Sequence, residues 1–210
     1  GYRLFGVIDM DGNPGDVACE PEGGAVKGVF RLFGEGDELY AEMIRSVRAA
    51  TQRIFLASYI LAADEVGTEL LDELMKQSRH GLDVRIHVDA LGSSSVLTRK
   101  HRRQLRAAGI RLQRFHRWSW RQPMRYNRRD HRKLLVIDGK TAYLGGFNIH
   151  REGSRRYYGP KRWRDVHVCF EGPLAAEADA LFDAFWCGHP DWSPQSHTIG
   201  DSRITPNATR

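Results

Sequence analysis

The residues best suited to chemistry lie close together, in Asp130-His131-Arg132-Lys133-Leu134-Leu135-Val136-Ile137-Asp138-Gly139-Lys140-Thr141-Ala142-Tyr143-Leu144-Gly145-Gly146-Phe147-Asn148. On an extended strand, side chains two apart point to the same side, so His131 and Lys133 project together. An imidazole beside a fixed ammonium suits phosphoryl transfer. The ammonium holds phosphate oxygens and stabilises the charge of a pentacoordinate transition state. The imidazole attacks phosphorus or passes a proton to a leaving oxygen. Gly145 and Gly146 remove side-chain bulk where a phosphate would approach the backbone, and the Asn148 amide adds a donor. His-x-Lys alone describes many surface hairpins. The full pattern H-x-K-x4-D-x6-G-G-x-N fixes six residues at set spacings, which chance explains poorly.

Strands and helices alternate around this segment. Residues 29–33 read as a short strand. Leu39, Met43, Ile44 and Val47 then share one face of a helix, with Asp37 as its N-cap. Residues 53–60 form a strand with few polar positions, as expected when both sheet faces are covered. A helix from about Thr68 ends at Gly81 as its C′ residue. Leu82, Val84, Ile86 and Val88 alternate along the next strand. A Gly-Ser loop at 92–95 leads to a basic helix with Leu97, Leu105 and Ala108 on its apolar side and Gly109 as its stop. Residues 110–112 make a short strand, and 116–130 are irregular.

The strand 131–138 turns at Asp138-Gly139-Lys140 into the strand 141–144. A Gly/Arg-rich loop covers 151–162. The last strand, 165–170, leads through Gly172-Pro173 into a helix lined by Leu174, Ala178, Leu181, Phe182 and Phe185. The expected fold is therefore α/β, a mixed sheet sandwiched between helices. Its domain covers 26–187. Before it lies a turn-rich segment, 1–25, with at most a short hairpin. After it, 188–210 reads as linker or disordered tail.

The chain has 210 residues and a net charge of +6. The charge is unevenly placed: between Arg99 and Lys133 stand 14 Lys or Arg and one acid, Asp130. Such a block suits an anionic partner, whether nucleic acid, an acidic membrane surface or a phosphorylated substrate, although by itself a solvated basic helix and loop explains it better. No apolar run approaches the length of a membrane span, and no signal peptide is visible. Cys19, Cys169 and Cys187 are odd in number and widely spaced. That argues against a disulfide framework or structural zinc site, and for Cys169 as a buried thiol in a reducing compartment.

The segment 130–148 resembles the HKD signature of the phospholipase D superfamily, and the likeness extends over 29–186. Residues 30–60, with their Ser58-Tyr59-Ile60 end, are similar to the opening of bacterial cardiolipin synthases, as are residues 74–95. So is Trp163-Arg164-Asp165-Val166-His167-Val168 followed by Glu171-Gly172-Pro173. Gly146 stands where many superfamily members carry serine, a departure that cardiolipin synthase-like members share. The resemblance implies a phospholipase D-like fold with a single HKD domain. It makes His131 the nucleophile or general acid, and Lys133 and Asn148 the phosphodiester ligands. Asp138 would be mainly structural, and Asp165 the carboxylate orienting His131. Glu152 competes for that last role. No metal or cofactor is required. Of the remaining histidines, none is followed by lysine two residues on. His87 and His167 read as strand residues with ordinary hydrogen bonds. Trp118, Trp120, Tyr126, Tyr157 and Tyr158 would line an acyl or base pocket, or tuck onto the core.

The superfamily's active site uses two HKD motifs, and this sequence has one. The expectation is a second half, from a homodimer partner or from the remainder of a longer chain. The implied activity is that of a phosphatidyltransferase on an anionic, phosphatidylglycerol-like phospholipid. It would work in the bacterial cytoplasm, peripherally on the inner face of the cell membrane. The alternatives are a nuclease of the same superfamily and a catalytically dormant module that binds anionic lipid or nucleic acid.

Overall fold

The computed structural model describes residues 2–5, 18–21, 29–90, 92–93, 98–115 and 131–188. Leu97, the irregular stretch 116–130 with its Trp and Tyr residues, and the tail from 189 lie outside them. A two-stranded antiparallel ribbon, β1 (Tyr2–Phe5) and β2 (Ala18–Pro21), precedes the main sheet. The main sheet is built from β3 (Phe30–Phe33), β4 (Arg53–Ser58), β5 (Asp83–Asp89), β6 (Arg111–Phe115), β7 (Leu134–Ile137), β8 (Thr141–Gly145) and β9 (His167–Glu171). Its order is β3-β9-β8-β7-β4-β5-β6. Pairings are parallel for β4–β5 and β5–β6 and antiparallel elsewhere, so the sheet is mixed.

Both sheet faces are buried because the central strands alternate between two cores. In β4, Ile54 and Leu56 enter one core while Phe55 and Ala57 enter the other. The first core is closed by α1 (Gly36–Ala49), α2 (Glu65–Arg79) and α3 (Arg99–Ala107), through Leu39, Met43, Val47, Leu70, Leu74 and Leu105. The second is closed by α5 (Pro173–Trp186), whose Phe182 stacks on Phe55 with ring centroids 4.8 Å apart. Arg53 fixes α5 through a bidentate pair with Asp179, at 3.1 and 2.6 Å. Arg85 adds a contact to Asp183 at 2.5 Å.

Several local expectations change. Helix α1 is capped at Glu35, and its first-turn Asp37 is not the cap. The Asp37 carboxylate instead accepts from Ser154 Oγ and, at 3.0 Å, from the Arg156 amide. Helix α2 begins at Glu65, with Asp64 accepting from the Gly67 amide at 3.0 Å. Gly67 hides that start, since a glycine inside a helix costs stability. Here it is needed, because a Cβ would lie 1.9 Å from the Ala62 carbonyl oxygen. The segment 151–162 is not an open loop. It holds two 3₁₀ turns, Arg151–Gly153 and Gly159–Lys161, around a one-turn helix, α4 (Arg155–Tyr158). Acids from elsewhere pin it: Asp37 at Ser154 and Arg156, Glu35 at Arg162, and Asp64 at the Arg151 amide, 2.7 Å away. In α5, Leu181 and Phe185 are half-buried, and Ala175 completes the buried face.

The β7–β8 turn locks the far end of the sheet. Asp138 and Gly139 both have positive φ, 54° and 66°, as a tight hairpin of this hand requires. Asp138 tolerates that backbone while its carboxylate accepts four hydrogen bonds. They come from the Thr51 amide, Thr51 Oγ1, the Gln52 amide and the Arg53 amide, at 2.8, 2.8, 2.8 and 2.9 Å. Burial raises the carboxyl's pKa, and these donors pull it net below the ordinary 3.8. Replacing Asp138 with alanine leaves three backbone donors without that partner. The expected loss is about 2–4 kcal/mol of unfolding free energy, read as a lower urea midpoint at unchanged slope. Because the folded pKa is depressed, this stabilisation is complete above the ordinary value and disappears as pH falls through the folded one.

Candidate active site at one end of the sheet

The topology gathers the candidate residues at the end of the sheet opposite Asp138. Ala57 of β4 pairs with Leu134 of β7, Leu134 with Leu144 of β8, and Gly145 with His167 of β9. The chain leaving β4 (Ser58, Tyr59, Ile60), entering β7 (His131 to Lys133), leaving β8 (Gly146 to Asn148) and entering β9 (Asp165, Val166) therefore meets at one mouth. The parallel strands β4, β5 and β6 end on the same side, where open α/β sheets place their ligands.

His131 and Lys133 precede β7 instead of lying on it. Their proximity comes from other contacts than strand pleating. The His131 ring stacks on Tyr59 with centroids 4.1 Å apart, and Lys133 Nζ stands 5.7 Å from the same ring centre. Lys133 Nζ also donates to the His131 carbonyl at 2.8 Å. The aromatic face thus seats both groups, and His131 stays exposed. Asn148 is fixed through its oxygens. Its Oδ1 accepts from the Ile60 amide at 3.2 Å and its carbonyl from the Tyr40 hydroxyl at 2.8 Å. Its amide nitrogen has no hydrogen-bond partner among the described residues, which leaves two donors open to solvent or a ligand.

The two glycines serve the approach of β9. A Cβ on Gly145 would lie 2.4 Å from the Val166 carbonyl oxygen and 2.5 Å from His167 Cα. On Gly146 it would lie 1.8 Å from Asp165 Oδ1. The space expected to admit a phosphate beside these Cα atoms is filled by Asp165 and the strand behind it. Asp165 is exposed, and its Oδ1 accepts from the next amide, Val166, at 2.8 Å. It makes no hydrogen bond to the His131 of its own chain. Nor does Glu152, which takes His150 Nδ1 at 2.5 Å. Burial pushes the Glu152 carboxyl up, but that imidazole draws it net below the usual range. Asp138, at the opposite end of β7, is remote from this mouth. Tyr59 was not singled out from sequence as a site residue, nor was His150 as the partner of Glu152. Only the position of Tyr59 at the end of a buried strand hinted at its part.

His167 departs from expectation. It is 1% exposed, and neither ring nitrogen has a hydrogen-bond partner among the described residues. Burial, aided by the charge of Lys133 and opposed by Asp165, pushes its pKa down to about 4. Cys169, by contrast, is the buried thiol expected, raised to about 11 by burial.

Beside the mouth, past Ile60, opens a cleft of about 1010 Å³ lined by Asp64, Glu65, Glu69, Asp72, His150 and Trp163. Its four carboxylates make it a poor place for a phosphodiester, whereas the mouth carries the Lys133 ammonium. Tyr157 and Tyr158 are exposed on α4, not tucked onto the core. Among the described residues, no three His, Cys, Asp or Glu side chains converge as metal ligands would. No helix among them is long and apolar enough to cross a membrane.

Residues 43–186 match the family model described as "Cardiolipin synthase, PLD-like domain". The chain is 34% identical to a cardiolipin synthase of Clostridium perfringens over 156 residues, covering 74% of this chain and 32% of that protein. With a cardiolipin synthase of Staphylococcus aureus it shares 32% over 186 residues, 85% of this chain and 35% of the other. The matched span is thus about a third of those relatives' length. Among solved structures, Nuc of Salmonella typhimurium, a phospholipase D family member, superposes with a TM-score of 0.57 at 16% identity, over 77% of this chain and 95% of its own. A phosphatidylserine synthase of Haemophilus influenzae gives 0.54 at 20% identity, over 73% and 35%.

The unpaired imidazole of His167 makes stability pH-dependent. Between its ordinary value of 6.5 and its folded value of about 4, the unfolded chain takes up a proton that the folded chain refuses. Stability therefore falls as pH drops through that window, by up to about 1.4 kcal/mol per pH unit from this residue. Denaturation curves at pH 7 and pH 4.5 should show a smaller loss in His167→Leu than in the parent. Equal losses would remove the assignment.

Proposed function

The chain belongs to the cardiolipin synthase family of phospholipase D-like domains, and from that premise we propose that it supplies one half of a phosphatidyltransferase site. The observation that carries the reading is the joint seating of His131 and Lys133 on Tyr59, beside the donors of Asn148. Lys133 and Asn148 hold the non-bridging oxygens of a phosphodiester. A His131 nitrogen attacks phosphorus, and the bond to the leaving alcohol breaks. A second histidine donates the proton that the alcohol carries away. In the return step that histidine takes the proton of an incoming hydroxyl, whose oxygen displaces His131 from phosphorus. With phosphatidylglycerol as donor and a second phosphatidylglycerol as acceptor, the products are cardiolipin and glycerol. With water as acceptor, the product is phosphatidic acid.

The second histidine belongs to another HKD half, from a second copy of the chain or from further sequence of a longer protein. His167 does not fill the role, because it is enclosed and held neutral. Asp138 acts through the scaffold, and Asp165 serves the mouth rather than its own His131. The protein works peripherally on the anionic inner face of a bacterial membrane, with the basic segment drawing it there.

The basic segment also supports a second reading, a phosphodiesterase acting on nucleic acid. Incubating the purified chain with labelled phosphatidylglycerol vesicles and, separately, with single-stranded DNA, both with chelator, tells the two apart. Lipid turnover is expected where two copies pair to supply both histidines, and little where the chain stays a strict monomer. His131→Ala and Lys133→Ala should each lower it by at least ~10³-fold with the circular dichroism spectrum intact. Cleaved DNA beside untouched lipid would sink the lipid reading.

A further inference from the structure

His150 follows Asn148 by two residues and stands where the mouth gives onto the large cleft. Ile60 joins the two spaces. Its amide donates to Asn148 Oδ1, its carbonyl accepts from the Ile149 amide at 3.0 Å, and it lines the cleft. His150 is 4% exposed, and its ring is held on two sides. Nδ1 meets Glu152 Oε2 at 2.5 Å, and the ring stands edge-on to Trp163 with centroids 5.1 Å apart. Nε2 has no hydrogen-bond partner among the described residues, and unlike the His167 nitrogens it is not sealed from solvent. It therefore opens into the cleft that His150 lines. In the neutral ring, a carboxylate at Nδ1 keeps the proton there and leaves the lone pair on Nε2. A buried acceptor aimed into a cavity calls for a donor from the occupant.

We propose that this cleft is the subsite of the acceptor alcohol and that His150 Nε2 binds the spare hydroxyl of a vicinal diol, an inference that rests on the transferase reading above. A glycerol headgroup carries two adjacent hydroxyls. One attacks phosphorus at the mouth, and the other donates a hydrogen bond to Nε2. The remaining lining agrees in chemistry. Asp64 spends both carboxylate oxygens on the Gly67 and Arg151 amides. Glu69 and Asp72 of α2 carry no hydrogen bond among the described residues, so they add acceptors for hydroxyl donors. Their charge disfavours a phosphate, so the phosphate of a lipid acceptor stays outside while its uncharged diol enters. Trp163 is 57% exposed, and its open ring suits the C–H side of such a ligand. Water has no second hydroxyl to offer. His150 therefore favours transfer over hydrolysis. It is a specificity residue, positioned by Glu152, and not an acid or base of the reaction.

Nitrogen NMR of the histidine rings in the full chain tests the subsite, with glycerol as the probe. Glu152→Gln, which changes the partner of Nδ1, assigns the His150 signals. Glycerol should move the Nε2 signal saturably. 1-Propanol, which lacks the second hydroxyl, should bind at least ~10-fold more weakly. An unmoved Nε2 signal would overturn the proposal. So would 1-propanol that binds as tightly as glycerol, or ethanolamine that binds more tightly, since the cleft would then be an apolar or an ammonium pocket. Turnover reads out separately. With phosphatidylglycerol vesicles and labelled glycerol, label entering lipid reports transfer and phosphatidic acid reports hydrolysis. His150→Phe keeps a ring against Trp163 and should lower the ratio of transfer to hydrolysis by at least ~10-fold. Thermal melting checks its fold, and E152Q takes the same ratio test if H150F melts early. An equal fall in both rates would make the role structural and sink the assignment. Glycerol bound at His150 in paired chains that turn over no lipid refutes the reaction and leaves the subsite. Turnover whose ratio is unchanged in folded H150F refutes the subsite and leaves the reaction.

Discussion

Everything at the mouth depends on the antiparallel pairing of β7 with β4. That pairing holds four buried apolar residues, Leu134 to Ile137, in the middle of the sheet. It gives them a neighbour on each side and a helix layer on each face, so the strand has no freedom to slide. A shift of one residue would turn every side chain to the wrong core. The register is set at the far end, where the Asp138 carboxylate gathers the donors of residues 51–53. The near end then has no choice of position. His131 emerges where β4 ends, and the ring that ends β4 is Tyr59. A motif that reads as one contiguous run is therefore an anchor, Asp138, and the His131–Lys133 pair, separated by a rigid spacer.

The mouth itself is assembled by close approach. β9 comes so near β8 at Gly145 that a Cβ there would meet its backbone, while at Gly146 a Cβ would meet the Asp165 side chain. The same approach buries His167 with unsatisfied nitrogens. An unpaired polar group in a core costs stability. The fold carries that cost where β9 passes Gly145 of β8.

Much of this was legible in the sequence. The turn at Asp138-Gly139, the two-sided burial of β4 and the Pro173 start of α5 follow from local rules, and the structure keeps them. The contents of 151–162 did not show. Their order comes from Glu35, Asp37 and Asp64, carboxylates more than eighty residues away in the chain, and no local pattern announces such partners. The pairing of His131 with Lys133 was foreseen for a reason that does not hold, since the two meet on an aromatic ring and not on a pleat. Tyr59 was hidden for the same reason: a tyrosine at a strand end looks like any other until the sheet order places it opposite the motif. The empty hydrogen-bond shell of His167 is likewise visible only once burial is known.

The contact between Gly146 and Asp165 also couples two side chains that the sequence keeps apart. With Asp165 turned as it is here, a hydroxymethyl group at 146 and a carboxymethyl group at 165 compete for one volume. Asp165 is exposed, so its carboxylate has room to rotate away. A side chain at 146 would thus dictate where that carboxylate points, and the glycine leaves the choice to Asp165.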